Sequence, residues 1–320
     1  MKKSILILSV FSILFSCSND NKLDVDVSSI NSNFKIKRFE QVFYTAKPVD
    51  LPKIKKEFRF LFPHDIDSVW VKKMNDKDEQ ELFLETQKVY PDLKKIKPEF
   101  DKLFKHIKYY YPKFKEPTII TINSNVNLEQ KVVYADTLLF ISLDVFLGKK
   151  SYIYEDYPDY LKTNFTTAQM VVSSAKELVK PIVFKSKDRT FLSRIIQEGK
   201  KMYAVDAFIP KYDEANKMGY SLAKLKWVKA NEQMIWSYFI EKEYLYSTDM
   251  DLSKRFIIEA PFSKFYLDID NDTPGQVGVW LGWQIVKAYM QHNKNVSLKD
   301  LMTTKNELIF KKSKYKPNRK

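Results

Sequence analysis

Cys17 is the only cysteine among the 320 residues, and its chemistry is the most closely constrained in the chain. A disulfide needs a second cysteine, and a catalytic thiol needs a base in a folded pocket, which a position so near the chain start does not favour. The flanking residues predict a different role. Met1–Lys3 is a short basic segment, Ser4–Phe15 is an apolar run of 12 residues, and Leu14 and Ser16 stand three and one residues before the cysteine.

This arrangement is typical of a bacterial lipoprotein signal. An apolar run of 12 residues suits a secretory signal and is shorter than the ~20 residues of a membrane-spanning helix. We therefore predict a signal peptide over residues 1–16 and a lipid-modified thiol on Cys17, carrying palmitate or similar acyl chains that anchor the protein in a membrane. The alternative is an ordinary signal peptide that contains a cysteine, and Phe15 is bulkier than the usual residue of a lipoprotein signal.

The next residues predict how the chain is organised and charged. Residues 18–32 are polar, so we expect a flexible lipid-anchored tether over residues 17–33 and a single α+β domain over residues 34–320. The formal net charge of +14 becomes +12 when Lys2 and Lys3 leave with the signal. A basic exported protein has anionic lipids or acidic envelope polymers as candidate partners, whereas the export signal argues against nucleic acid. A solvated lysine surface is the simpler interpretation of the charge.

No other motif nominates a catalytic centre or a cofactor. The histidines are His64, His106 and His292, and none forms an i, i+4 pair of the kind that binds zinc on a helix. The sequence contains no G-x-S-x-G nucleophile turn, no phosphate-binding loop and no glycine-rich dinucleotide turn. We therefore predict no catalytic residues, no metal and no cofactor.

Apolar residues recur with helical spacing through most of the chain. This spacing predicts helices over residues 36–60 with a break at 47–48, and over 76–90, 93–111, 166–179, 189–205, 222–242, 274–292 and 297–311. Three β-branched segments at 118–122, 131–135 and 138–143 predict an antiparallel meander. The predicted fold class is α+β, predominantly α-helical with a small antiparallel sheet. Gly278 and Gly282 lie on one helix face and predict the close approach of a second backbone.

The order of these elements resembles the gluzincin metallopeptidases, in which a sheet precedes an HExxH helix and a second helix carries a glutamate ligand. Glu198, followed by Gly199, takes the place of that glutamate, but residues 170–179 contain no histidine. Zinc needs at least three protein ligands, so this comparison implies a degenerate fold that lacks HExxH. The simpler interpretation is a surface glutamate beside a packing glycine. A groove between the two helices would be lined by Glu198, Glu177, Arg189, Tyr203, Lys176 and the loop 217–220.

A more specific resemblance covers essentially the whole chain. Many separate stretches are similar to the gliding motility lipoprotein GldB family of Bacteroidetes: Lys37–Glu40, Leu103–Tyr110, Val133–Asp136, Arg189–Leu192, Lys217–Tyr220, Asn231–Trp236, Leu245–Asp249, Arg255–Ile257, Ala260–Phe262, Pro274–Gly278 and Trp280–Val286. The resemblance implies a cell-envelope lipoprotein that works with other gliding-machinery proteins, in a family with no established catalytic residues.

Three functions follow from these features. The first is a non-catalytic, lipid-anchored component of the gliding apparatus, facing the periplasm or the cell surface. The second is a hydrolase of envelope peptides or peptidoglycan, suggested by the peptidase-like order of elements and Glu198. The third is a basic module that binds acidic envelope polymers. Neither the membrane that holds the lipid nor the direct partner follows from the sequence.

Overall fold

The computed structural model describes residues 23–63 and 66–317. Its first part contains β1 (Ile36–Arg38), α1 (Phe39–Tyr44), α2 (Leu51–Glu57), α3 (Asp67–Met74), α4 (Lys77–Val89), α5 (Lys97–Tyr110), β2 (Thr118–Ile122), β3 (Val132–Ala135) and β4 (Leu138–Ser142). The remainder is helical: α6 (Asp159–Lys162), α7 (Thr167–Val179), α8 (Phe191–Phe208), α9 (Glu214–Met218), α10 (Leu222–Ala230), α11 (Glu232–Glu241), α12 (Asp251–Phe256), α13 (Val277–His292), α14 (Leu298–Thr303) and α15 (Asn306–Ser313).

The α+β, predominantly helical class is confirmed, but the sheet is mixed and has four strands. The strand order is β1-β2-β4-β3, with β1, β2 and β4 parallel and β3 antiparallel to β4. The predicted meander is wrong because β4 lies between β2 and β3. A nine-residue connection after β2 lets the chain place β3 at the edge, and Asp136, with φ of 54°, turns the chain back so that β4 fills the gap.

β1 was not expected, because a helix was predicted to begin at residue 36. Three residues are too few to show an alternating pattern, and this strand exists because it pairs with β2 from Ile36↔Ile119 to Arg38↔Thr121. The other predicted helices are found, although two of them are each divided in two. Residues 222–242 form α10 and α11, and residues 297–311 fall mostly within α14 and α15.

The two faces of the sheet support two hydrophobic clusters. Ile119 and Leu139 point into the main cluster, whereas the next residues, Ile120 and Phe140, point to the second. This alternation is the normal consequence of the strand pleat. The main cluster contains buried residues of α5, α7, α8 and α13, and the second contains those of α1, α2 and the end of α3. Among the described residues, no helix is long and apolar enough to cross a membrane.

Helices α8 and α13 meet backbone to backbone at the centre of the main cluster. A Cβ atom on Gly282 would lie 1.8 Å from the carbonyl oxygen of Ile195, and one on Gly199 would lie 2.1 Å from the carbonyl oxygen of Gly282. A Cβ atom on Gly278 would lie 2.9 Å from the Phe256 carbonyl oxygen, which is also shorter than a normal contact. The predicted close approach at Gly278 and Gly282 is therefore confirmed, and Gly199 is a packing glycine.

A buried ion pair joins three helices near this contact. The Lys217 ammonium of α9 donates to Asp206 Oδ1 of α8 at 2.7 Å, and the Trp283 indole N–H of α13 donates to Asp206 Oδ2 at 2.7 Å. The three residues are 5%, 7% and 0% exposed, respectively. Both carboxylate oxygens therefore have a donor, which a buried charge requires.

The segment Leu23–Asn33 lies along α5. Leu23 packs against the main cluster, and the Asp24 carboxylate pairs with the Lys211 ammonium at 2.8 Å. Further along, Lys108 Nζ donates to the Asn31 carbonyl oxygen at 2.9 Å. The part of the predicted tether that the structure describes is thus attached to the folded body, and only residues 18–22 separate Cys17 from Leu23.

Candidate functional site

Two hollows that share lining residues lie beside α8. The larger, with a volume of about 690 Å³, lies between the end of the edge strand β3 and the helices α7 and α8, and the smaller, with a volume of about 280 Å³, lies between the loop before α8, α8 itself and α12. Lys185 and Gln197 line both hollows, and we call the two hollows together the trough. Its larger part extends to Tyr134 and Asp136 at the end of β3.

The floor of the trough is one face of α8. This helix begins after Thr190, whose hydroxyl accepts a hydrogen bond from the Ser193 backbone N–H at 3.2 Å and so caps the helix. Four trough residues follow at positions i, i+3, i+4 and i+7, a spacing that places them on one side of the helix: Arg194, Gln197, Glu198 and Lys201. The rest of α8 is largely buried, so the floor is held by the main cluster.

Two of the trough carboxylates, Glu198 and Glu177, are each paired with a lysine three residues further along the chain. Glu198 accepts from Lys201 Nζ at 2.7 Å, and Glu177 accepts from Lys180 Nζ. Glu198 is about a quarter exposed, with a side-chain exposure of 28%, and Glu177 is 22% exposed. The trough therefore presents alternating positive and negative groups rather than a field of one sign.

A loop between α7 and α8 forms the rim. Phe184 is 62% exposed and stands between the lining residues Val183 and Lys185. Its backbone is held on both sides, because its carbonyl oxygen accepts from Gln197 Nε2 at 2.9 Å and its N–H donates to the Met302 carbonyl oxygen at 3.3 Å. An anchored backbone thus carries a large apolar ring into solvent.

The opposite rim is the open edge of the sheet. The Ser142 N–H donates to the Lys131 carbonyl oxygen at 3.0 Å, which identifies these two residues as a hydrogen-bonded position beside the β3–β4 ladder. Hydrogen-bonded and non-hydrogen-bonded positions alternate along an antiparallel pair. Tyr134, three residues after Lys131, therefore directs its N–H and C=O away from β4, toward the trough.

Lys176 lies beside the trough and has an unusual ionisation. Its pKa is lowered to about 8, chiefly by burial and also by the positive charge of Lys131, whereas the carboxylates of Glu259 and Glu198 oppose this effect. A lysine with such a pKa is partly neutral at neutral pH and can act as a base or a nucleophile. It can equally be a lysine whose stem is buried by packing alone.

Replacing Lys176 by methionine is expected to remove a pH-dependent part of the stability. The unfolded chain keeps the lysine protonated up to its ordinary pKa of about 10.4, whereas the folded chain releases the proton near a pKa of about 8. Between these values the unfolded state binds more protons, so stability rises with pH. We expect the wild-type free energy of unfolding, relative to that of Lys176→Met, to increase by up to about 1.4 kcal/mol per pH unit.

Urea denaturation from about pH 7 to about pH 9.5 measures this difference, because tyrosine ionisation affects the wild type and the variant alike and cancels in the comparison. Lys226→Met, at an exposed position of α10, is the control and should show no such slope relative to wild type. A difference between wild type and Lys176→Met that stays constant with pH would contradict the low pKa.

The structure brings some of the predicted groove residues together and separates others. Glu177 and Glu198 line the trough, in its larger and smaller parts respectively. Arg189 is exposed in the loop before α8. Tyr203 is 7% exposed within the main cluster, where burial raises the pKa of its hydroxyl. Cys17 lies outside the described residues.

The loop 217–220 lies elsewhere. Lys217 points into the core as the partner of Asp206. Gly219 and Tyr220 line a separate hollow of about 290 Å³ with Asn164. The expectation that this loop lines the groove between α7 and α8 is not met.

The described residues show no arrangement suited to metal chemistry. Within residues 23–63 and 66–317, no group of three His, Cys, Asp or Glu residues is placed to hold a metal ion. His106 Nδ1 lies 2.7 Å from the Lys102 carbonyl oxygen, and His292 Nδ1 lies 2.8 Å from the Ala288 carbonyl oxygen. Both contacts are local ones within a helix. His64 lies outside the described residues.

Sequence reasoning missed Tyr134, Phe184, Lys185 and Gln197 as trough residues. A usable signal existed for Phe184, which is an apolar residue followed by the polar run Lys185–Asp188. No comparable signal marks Tyr134, because its place at the open edge depends on the strand order.

Neither the curated proteins nor the solved structures give a match. The gluzincin likeness therefore gains no support from a solved structure. A family match extends from residue 20 to residue 317, which is nearly the whole chain, and the family is described as gliding motility protein GldB, a family of lipoproteins. The chain belongs to the GldB family of gliding motility proteins.

Proposed function

We propose that this protein is a lipid-anchored component of the gliding apparatus in the cell envelope and that it acts by binding, not by catalysis. The observation that carries the proposal is the family match over residues 20–317. The lipoprotein signal that ends at Cys17 supports the anchoring. The ion pairs of Glu177 and Glu198 with lysines give the trough polar groups of both signs that a binding partner can contact.

We further propose that the trough receives an extended segment of another gliding-machinery protein. An extended peptide can add to an open sheet edge through main-chain hydrogen bonds, while pockets for its side chains provide specificity. Tyr134 offers the edge, Phe184 offers an apolar contact, and the lysine–glutamate pairs offer polar contacts of both signs. Aromatic residues, phenylalanine among them, are enriched in the cores of protein–protein interfaces.

The trough is tested by Phe184→Ser combined with Lys185→Glu in a gliding host whose own gene is deleted. Both side chains are exposed, so the free energy of unfolding of the double variant should lie within about 0.5 kcal/mol of the wild-type value. Loss of a hot-spot contact of about 2 kcal/mol corresponds to about thirtyfold weaker partner binding. We therefore expect slow or absent gliding at normal protein level, measured as the speed of single cells on glass.

The matched control is Leu222→Ser combined with Lys226→Glu, which makes the same chemical changes at exposed positions of α10. This control should glide like the wild type. Equal gliding by the two double variants, whether both normal or both impaired, would rule out a specific role for the trough.

A further inference from the structure

We propose that one face of the protein lies against anionic phospholipid headgroups of the membrane that holds the lipid on Cys17. This face consists of α5 and its flanks, residues 91–116, and we call it the basic face. The inference rests on the anchoring in the proposed function. It adds to that function an orientation and a class of lipid.

The chain leaves the folded body on the side that carries α5. Asp24 pairs with Lys211, whose neighbour Tyr212 donates to Glu99 of α5, and the Asn31 carbonyl oxygen accepts from Lys108 of the same helix. Leu23 itself is packed against the main cluster. The residues between the anchor and the body therefore start from the side that carries the basic face.

The stretch of chain between Cys17 and the folded body is short. Leu23 is six residues after Cys17, and six residues span at most about 20 Å when fully extended. A folded chain of this size is about 50 Å across. Because the reach is shorter than the body, the anchor cannot pass round the molecule, and the side near Leu23 must stay close to the lipid.

The basic face is rich in lysine. Residues 91–116 contain eight lysines and four acidic residues. Among the described residues, four exposed lysines there have no ion-pair partner: Lys95, Lys97, Lys113 and Lys115. Tyr109, 45% exposed on the outer side of α5, adds an aromatic ring of the type that favours a membrane interface.

The short connection to Cys17 and the charge of the basic face together orient the protein on the membrane. Lysines are attracted to an anionic leaflet only within about one Debye length, which is about 8 Å at physiological ionic strength. A long flexible tether would leave these lysines beyond that range most of the time. A short tether holds these lysines within or near one Debye length of the membrane. A modest net charge is then sufficient to select the orientation.

The single cysteine allows a direct test. In the acylated protein the Cys17 thiol is blocked, so one introduced cysteine can carry a fluorophore at a chosen site. Lys102→Cys places it on the basic face, and Val49→Cys places it beside α2, on the other side of the sheet, where the side chain is 80% exposed. Both labelled proteins are reconstituted in vesicles of phosphatidylcholine and phosphatidylglycerol with a quencher on the lipid headgroups.

We expect the label at residue 102 to be quenched severalfold more than the label at residue 49. The contrast should disappear when Lys95, Lys97, Lys113 and Lys115 are changed to glutamine, and also in phosphatidylcholine alone. Four exposed lysines around α2–α4 provide a control with the same change in charge, which should preserve the contrast: Lys53, Lys56, Lys72 and Lys77.

Equal quenching at the two positions with Cys17 acylated would overturn the orientation while leaving the proposed anchoring intact. A contrast that both sets of glutamine variants reduce equally would overturn the role of the basic face. Mass spectrometry of the N-terminal peptide reports the acylation separately, and an unmodified Cys17 would overturn the anchoring and the orientation with it.

Discussion

Asp206→Ala is expected to lower the free energy of unfolding by about 4 kcal/mol, because it leaves a buried lysine charge without a partner. Asp206 accepts from Lys217 Nζ and from the Trp283 indole N–H, both at 2.7 Å. Lys217 is only 5% exposed, so water cannot replace the lost carboxylate without opening the contact between α8 and α9. Chemical denaturation of the purified protein measures the loss.

The matched control for this variant is an exposed ion pair of the same type. Glu307 and Lys311 lie 2.9 Å apart, with side-chain exposures of 72% and 70%. Glu307→Ala should cost no more than about 0.5 kcal/mol, as is usual for surface pairs one helical turn apart. Adding Lys217→Met to Asp206→Ala should recover part of the stability, since it removes the stranded charge. A loss for Asp206→Ala as small as that of the control would contradict the buried pair.

Gly282→Ala is expected to destabilise the protein by about 3 kcal/mol, because the added methyl group overlaps a backbone carbonyl that cannot turn aside. The new Cβ would lie 1.8 Å from the Ile195 carbonyl oxygen, so α8 and α13 would have to move apart. Thermal and urea denaturation measure this effect.

Gln291→Ala, at an exposed position of the same helix, is the control and should change stability by less than about 0.5 kcal/mol. Gly199→Ala strains the same contact from the α8 side, because the added Cβ would lie 2.1 Å from the Gly282 carbonyl oxygen. Helices separated by one alanine already make room for the other, so the double variant should lose less stability than the two single variants added together. Wild-type stability for Gly282→Ala would show that the helices are not in this contact.

The sequence predicts the helices better than the sheet. Helical spacing of apolar residues is a local signal, and the pair Gly278 and Gly282 correctly indicated the close backbone approach. The strand order is not a local property, since β4 enters between strands that precede it in the chain. Tyr134 could not be recognised as an edge residue for the same reason.

For the predicted groove residues, too, local signals are more informative than positions that depend on tertiary packing. Glu177 and Glu198 each line one of the two hollows, because each lies on the polar side of its own helix. Tyr203 was misplaced, since α8 is surrounded by other helices and a tyrosine on it can be buried by contacts that the sequence does not reveal. The polar run after Phe184 indicates a loop, but the exposure of the Phe184 ring depends on how that loop is held, here by Gln197 and Met302.

The most direct measurement is the gliding of a deletion strain that carries either the full chain or an anchor-free form. In the anchor-free form, residues 1–17 are replaced by the cleavable signal peptide of a soluble secreted protein from the same host. We expect the full chain to be acylated on Cys17 and to restore gliding, and the anchor-free form to fail at equal protein level. Normal gliding of the deletion strain, or full rescue by the anchor-free form, would contradict a lipid-anchored role in gliding.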